Sequence, residues 1–163
     1  MSELGSAPLP PVGADDHVIG PAAGPASAPL VVYADYECPY CAALHARLVV
    51  QGARWAFRHF PVRSKHPRAW AAACAAEAAA LQGRFAEMHA SLYGDQGRLE
   101  DPHLWERART LGLDVERFDA DRRSDAVVAR VRRDFESGIR VGVVTTPTLF
   151  EHGTMRPIAP PEA

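Results

Sequence analysis

Residues 30–41, Leu30-Val31-Val32-Tyr33-Ala34-Asp35-Tyr36-Glu37-Cys38-Pro39-Tyr40-Cys41, decide the fold. The first five form a short apolar run rich in β-branched residues, which suits a buried parallel strand. Pro39 fits the first position of a helix, where its missing N–H would have no partner anyway. That helix runs to about Gln51, with Cys41, Leu44 and Leu48 on one face and Gly52 ending it. Residues 54–60 then alternate. Trp55, Phe57 and His59 point one way, while Arg54, Ala56 and Arg58 point the other, which is the period of a strand. Strand, helix and strand make one βαβ unit, with a right-handed crossover expected.

The chemistry sits where the first strand becomes the helix. There the helix dipole and free N–H groups favour a thiolate at Cys38. Cys41 lies one turn further in, close enough to close a small disulfide ring, so the pair can hold two electrons reversibly. Cys38, at the exposed end, reads as the attacking thiol, and Cys41, under the turn, as the resolving one. The competing reading is half of a zinc site, which needs two more ligands. No second CxxC and no HxxxH accompanies the pair, although His45 stands one turn beyond Cys41. No metal site is therefore expected. A second informative stretch is Thr145-Thr146-Pro147-Thr148: a cis bond at Pro147 would present the backbone of Thr146 to an incoming peptide, whereas an ordinary proline would only open a strand.

The remainder fits one domain. At 163 residues and 47% apolar, the chain can bury a sizeable core, and two separate cores are excluded. A net charge of −2 argues against a nucleic-acid binder driven by bulk charge. No apolar run is long enough for a membrane span. Three cysteines, Cys38, Cys41 and Cys74, exclude a disulfide-stapled scaffold. Residues 1–29 hold six of the fourteen prolines and read as a loose tail, with 15–20 as a short packed segment inside it. The domain spans 30–156. Its helical insertion covers about 62–138, with helices near 68–82, 84–93, 101–111 and 124–138. A strand at 148–151 leads into a hairpin turn at His152-Gly153, and 157–163 form a C-terminal tail. The start, Met1-Ser2-Glu3-Leu4-Gly5, does not read as a secretory signal. The expected location is cytoplasmic as written, or extracytoplasmic if a signal has been removed.

Several motifs together carry a family resemblance. They are 16–21 (Asp-His-Val-Ile-Gly-Pro), 36–41, 57–61 (Phe-Arg-His-Phe-Pro), His66-Pro67, 75–78 (Ala-Ala-Glu-Ala), 85–89 (Phe-Ala-Glu-Met-His) and 146–150 (Thr-Pro-Thr-Leu-Phe). In this order, over about 15–153, the chain resembles the bacterial DsbA-like thiol–disulfide oxidoreductases of the thioredoxin superfamily. The resemblance implies an α/β thioredoxin fold with an inserted helical subdomain. It implies Cys38 as nucleophile, Cys41 as resolving thiol, Pro147 as a cis proline and no dissociable cofactor. Pro39, Tyr40, Thr146 and Pro147 would contact substrate, and Asp35 or Glu37 would accept the proton of Cys41. The partners are protein or peptide disulfides and dithiols, and a redox partner that the sequence does not identify.

Three departures shape the expectation. The variable dipeptide is Pro-Tyr, where strongly oxidising members have Pro-His, and Glu37 beside it opposes a thiolate; a milder oxidant follows. No export signal is visible, and in reducing surroundings the pair would act as a reductant. The family usually continues past Gly153 with a strand and a final helix. Only ten residues follow Gly153 here, so the expectation is a chain without that C-terminal helix, whose bare sheet face a homodimer would cover or whose truncation would cost stability. A redox-regulated interaction or scaffold module of the same fold, or a glutathione-linked reductase, remains the alternative. Cys74 reads as a small core residue or a third redox thiol, and His59 as a satisfied core histidine. The arginines at 122–123, 130 and 132–133 read as a solvated helix face.

Overall fold

The computed structural model describes residues 6–22 and 28–160. Of the two expected tails, residues 1–5, 23–27 and 161–163 lie outside the described residues. Five strands form one sheet: β1 (His17–Ile19), β2 (Leu30–Ala34), β3 (Trp55–His59), β4 (Thr148–Glu151) and β5 (Thr154–Arg156), in spatial order β1-β3-β2-β4-β5. The βαβ unit is as its sequence indicates. β2 pairs parallel to β3, with Val32 opposite Phe57, and helix α1 (Pro39–Val50) crosses between them. β1, β4 and β5 all join antiparallel. The turn between β4 and β5 has positive φ at both His152 and Gly153, which a two-residue type I′ turn requires.

Between β3 and β4 lie five helices: α2 (Ala69–Ala80), α3 (Phe85–Gly94), α4 (Asp101–Thr110), α5 (Val115–Asp121) and α6 (Asp125–Arg140). Four match the expected segments. α5 does not: its seven residues are too few to show a period, and it is started by Asp114, whose side chain accepts from the Arg117 N–H. α2 is nearly all alanine, and it buries Cys74 and Glu77 along with most of its length. Small side chains let α3 and α6 pack closely against it.

The core has two parts, one on each face of the sheet. The larger joins α1, α2 and α3 to Trp55, Phe57 and Val32. The smaller joins Tyr33, Ala56, Phe60 and Phe150 to α6. Gly138 permits that second contact, because a Cβ there would fall 2.6 Å from the Phe60 ring. Leu9 and Val12 also pack onto this second cluster, and β1 is a true edge strand. Over residues 9–19 the expected loose tail therefore needs correction. Prolines lack N–H donors but keep their carbonyls: those of Pro10 and Pro11 accept from buried Arg58, which is also paired to Asp16. The expectation of a bare sheet face is met only in part. No helix follows β5 among the described residues, but Ile158 packs on the larger core and Arg47 donates to the Ala159 carbonyl. What stays open is the edge strand β5, exposed at all three residues.

Candidate active site

Cys38 is the N-cap of α1, in extended conformation, and Pro39 begins the helix without needing a hydrogen-bond acceptor. Both cysteines are buried, at 3% and 2% relative exposure. The expectation that Cys38 occupies an exposed end is therefore wrong. Its sulfur lies 3.7 Å from the carbonyl oxygen of Thr146, in the loop ahead of β4, and that loop covers it. The Thr146–Pro147 peptide bond is cis. Sequence-distant residues thus meet at one point: the end of β2, the start of α1 and the start of β4.

Charge distinguishes the two sulfurs, since exposure does not. The Cys41 thiol donates to Cys38, and the backbone N–H groups of Cys41 and Tyr40 point the same way. Against the opposing effect of burial, these lower the Cys38 thiol to about 6. Burial pushes Cys41 far above the ordinary thiol range, and the anion on Cys38 adds to it. Near neutral pH the site therefore holds one thiolate and one thiol, sharing a proton by hydrogen bond. All three cysteines are free.

Asp35 directly follows β2 and is buried. Its backbone N–H donates to Cys41 Sγ at 3.5 Å, while its carboxylate accepts from the N–H groups of Glu37 and Val62 and from His66. Glu37 does not face the thiols. Its two oxygens accept from the backbone N–H and the guanidinium of Arg68, so its charge is already paired. The expectation that Glu37 opposes the thiolate is thereby removed. Tyr40 is 61% exposed and, with Ala43, Leu44, Arg47 and the Thr146-Pro147 edge, forms a groove of about 300 Å³ beside the cysteines.

Sequence reasoning missed the groups that brace this loop from the insertion. The Gln96 side-chain amide donates to the carbonyls of Tyr36 and Cys38, at 2.8 and 2.9 Å. The Tyr93 hydroxyl donates to the carbonyl of Asp35. Both lie more than fifty positions from their partners, and no local pattern points to them. The Tyr36 hydroxyl and His89 Nδ1 are hydrogen-bonded at 2.8 Å, and His89 Nε2 lies 3.2 Å from His45 Nδ1. His59 is a paired core histidine: with His17 it donates to one oxygen of Glu77, at 2.8 and 2.7 Å. Cys74 is buried on α2, away from the pair, and burial beside Glu77 pushes it up to about 11. Among the described residues no group of His, Cys, Asp or Glu side chains is spaced to hold a metal ion.

A family model described as thioredoxin matches residues 14–157. Among solved structures, a thioredoxin-like oxidoreductase from Silicibacter pomeroyi superposes with a TM-score of 0.73 at 27% identity, covering 89% of this chain and 84% of that one. The thiol-disulfide exchange protein alpha-DsbA2 from Wolbachia pipientis superposes with a TM-score of 0.74 at 19% identity, covering 87% and 78%, and so shares the fold. A curated relative named Na(+)/H(+) antiporter NhaA 1, from Mycolicibacterium gilvum, is 41% identical over 146 residues. That match takes 85% of this chain and 23% of the relative, so the chain spans about a quarter of the length of such proteins. No helix among the described residues is long and apolar enough to cross a membrane.

Proposed function

This chain belongs to the thioredoxin family, and on that premise we propose that it is DsbA-like and exchanges disulfides with protein substrates through Cys38 and Cys41. The observation that carries the proposal is the placement of the two sulfurs, Cys38 as the N-cap of α1 against the Thr146 carbonyl and Cys41 one turn inside, which lowers the first thiol to about 6 and raises the second. Cys38 thiolate attacks a substrate disulfide. The substrate S–S bond breaks, one substrate thiolate leaves, and a mixed disulfide forms. Cys41 then loses its proton, attacks the Cys38 sulfur and releases the second substrate thiol. The substrate gains two electrons and the protein becomes the Cys38–Cys41 disulfide. The reverse sequence oxidises a dithiol.

The substrate strand lies on the backbone of Thr146 and against Pro147, with Pro39 and Tyr40 on the other side of the groove. Asp35 keeps its link to Cys41 through the backbone, whereas Glu37 is occupied by Arg68; the proton of Cys41 therefore leaves on the Asp35 side. A thiol near 6 stands between the ~7 of thioredoxin and the ~3.5 of DsbA. The reduction potential accordingly falls between about −270 and −120 mV, and the surroundings set the direction. Insulin reduction with a thiol reductant tests the reading. Turnover that vanishes in Cys38→Ser supports it; turnover independent of Cys38, or none in the wild type, contradicts it.

One observation favours a second reading. Relatives at 38–43% identity are long proteins named as sodium/proton antiporters, of which a chain like this one is about a quarter. On this reading the domain is a redox-responsive module working beside a membrane transporter. Its cysteines would then titrate and form a disulfide, but without sustained turnover on insulin.

A further inference from the structure

A second cleft, of about 690 Å³, opens on the opposite side of the cis-proline loop from the Tyr40 groove. Phe60, Phe135 and Val143 lie in it. Its lips are Ile139 at the end of α6, 55% exposed, and Val144, 91% exposed and two residues from Thr146. A soluble surface gains nothing by holding two large aliphatic side chains open to water beside an apolar floor. The rim is cationic, and its two arginines are exposed. Arg63 lies over the Trp70 ring at 3.8 Å, and neither Arg63 nor Arg132 has a carboxylate within ion-pair distance among the described residues. Their neighbours Arg130 and Arg133 both have one. The lining holds a single acid, Glu136.

We propose that this cleft is a second subsite for an extended segment of the substrate polypeptide, one that places a bulky apolar side chain beside a carboxylate. The inference rests on the disulfide-exchange reading and names the substrate class of that same site. Two features fix the occupant. The loop 143–146 both lines the cleft and carries the Thr146 backbone, so a chain lying on Thr146 passes Val144 into the cleft within a few residues. The rim offers two guanidinium groups that hold no carboxylate of their own, so an acidic group on the incoming segment completes them. Arg63, already flat on Trp70, needs little ordering to do so.

The test uses the full chain and two short synthetic peptides, each with one cysteine as its mixed disulfide with glutathione. One has a Phe-Asp pair a few residues to either side of the cysteine; the other has Ser-Lys. Glutathione disulfide, too small to reach the cleft, gives the baseline. The wild type is expected to favour the Phe-Asp peptide by about tenfold in kcat/KM. Ile139→Glu and Arg132→Glu, both at exposed positions, are expected to remove that preference and leave the glutathione disulfide rate unchanged. Equal rates on the two peptides, or a preference that survives both variants, overturn the proposal. Absence of any Cys38-dependent rate strikes the exchange reading instead. The cleft is then read by fluorescence anisotropy of the Phe-Asp peptide with Ser for Cys: binding weakened by both variants upholds it, and none refutes it. Concentration-dependent dimerisation abolished by Ile139→Glu would assign the cleft to a second copy and also refute it.

Discussion

Two of the molecule's buried anions, at Cys38 and Glu77, are treated differently. The Cys38 thiolate sits at the rim of the sheet, held by a thiol and backbone N–H groups. The Glu77 carboxylate sits inside the core, held by His17 and His59 from β1 and β3. Burial alone would raise Glu77, but its two imidazole partners overcome this and hold it well below the usual carboxylate range. The Glu77 partners only bind the charge and tie α2 to the sheet. The principal partner of Cys38 is a second sulfur, able to take its place in a disulfide. A buried charge becomes reactive or structural according to what its neighbours can do next, more than by its depth.

The sharpest break of that contrast is at the sulfurs. Cys38→Ser is expected to abolish turnover entirely, with little change in thermal stability. Cys41→Ser is expected to stop the cycle one step later, so non-reducing gels show trapped mixed disulfides; a fully released product would contradict the resolving role. Glu77→Gln should do the converse. It leaves two imidazoles, the buried His59 and the half-buried His17, short of their anion, at a cost of about 3 kcal/mol in denaturant unfolding, while per-molecule turnover stays near wild type. Acid sharpens the same point. Because the folded carboxyl of Glu77 lies below its unfolded value, its stabilisation is complete above the unfolded value of about 4.3 and is lost as pH falls further. Unfolding curves between neutral and acid pH should show that slope in the wild type and a shallower one in Glu77→Gln. Cys74→Ala is the smallest effect expected, about 1 kcal/mol of stability and no change in turnover.

The reading from sequence succeeded where the physics is local. Strand, cysteine N-cap, Pro39 and α1 occupy one continuous stretch; alternation marked β3 as a strand, and the βαβ reading placed it beside β2. It failed where partners are distant. Nothing near Gln96 or Tyr93 shows that they grip the cysteine loop, because the insertion folds back over more than fifty residues to bring them there. Glu37 looked like a threat to the thiolate because Arg68, which neutralises it, is 31 positions away. The proline-rich start looked loose because composition registers missing donors but not the carbonyls that Arg58 collects. Burial of Cys38 was hidden for the same reason: the covering Thr146 arrives from 108 positions downstream.

The most direct measurement of the central claim is the alkylation rate of each cysteine against pH, resolved by peptide mass. The account predicts that Cys38 reacts with a midpoint near pH 6, while Cys41 and Cys74 stay unmodified at neutral pH. A Cys38 midpoint at the ordinary thiol value of about 8.5, or reaction of Cys41 ahead of Cys38, would contradict it.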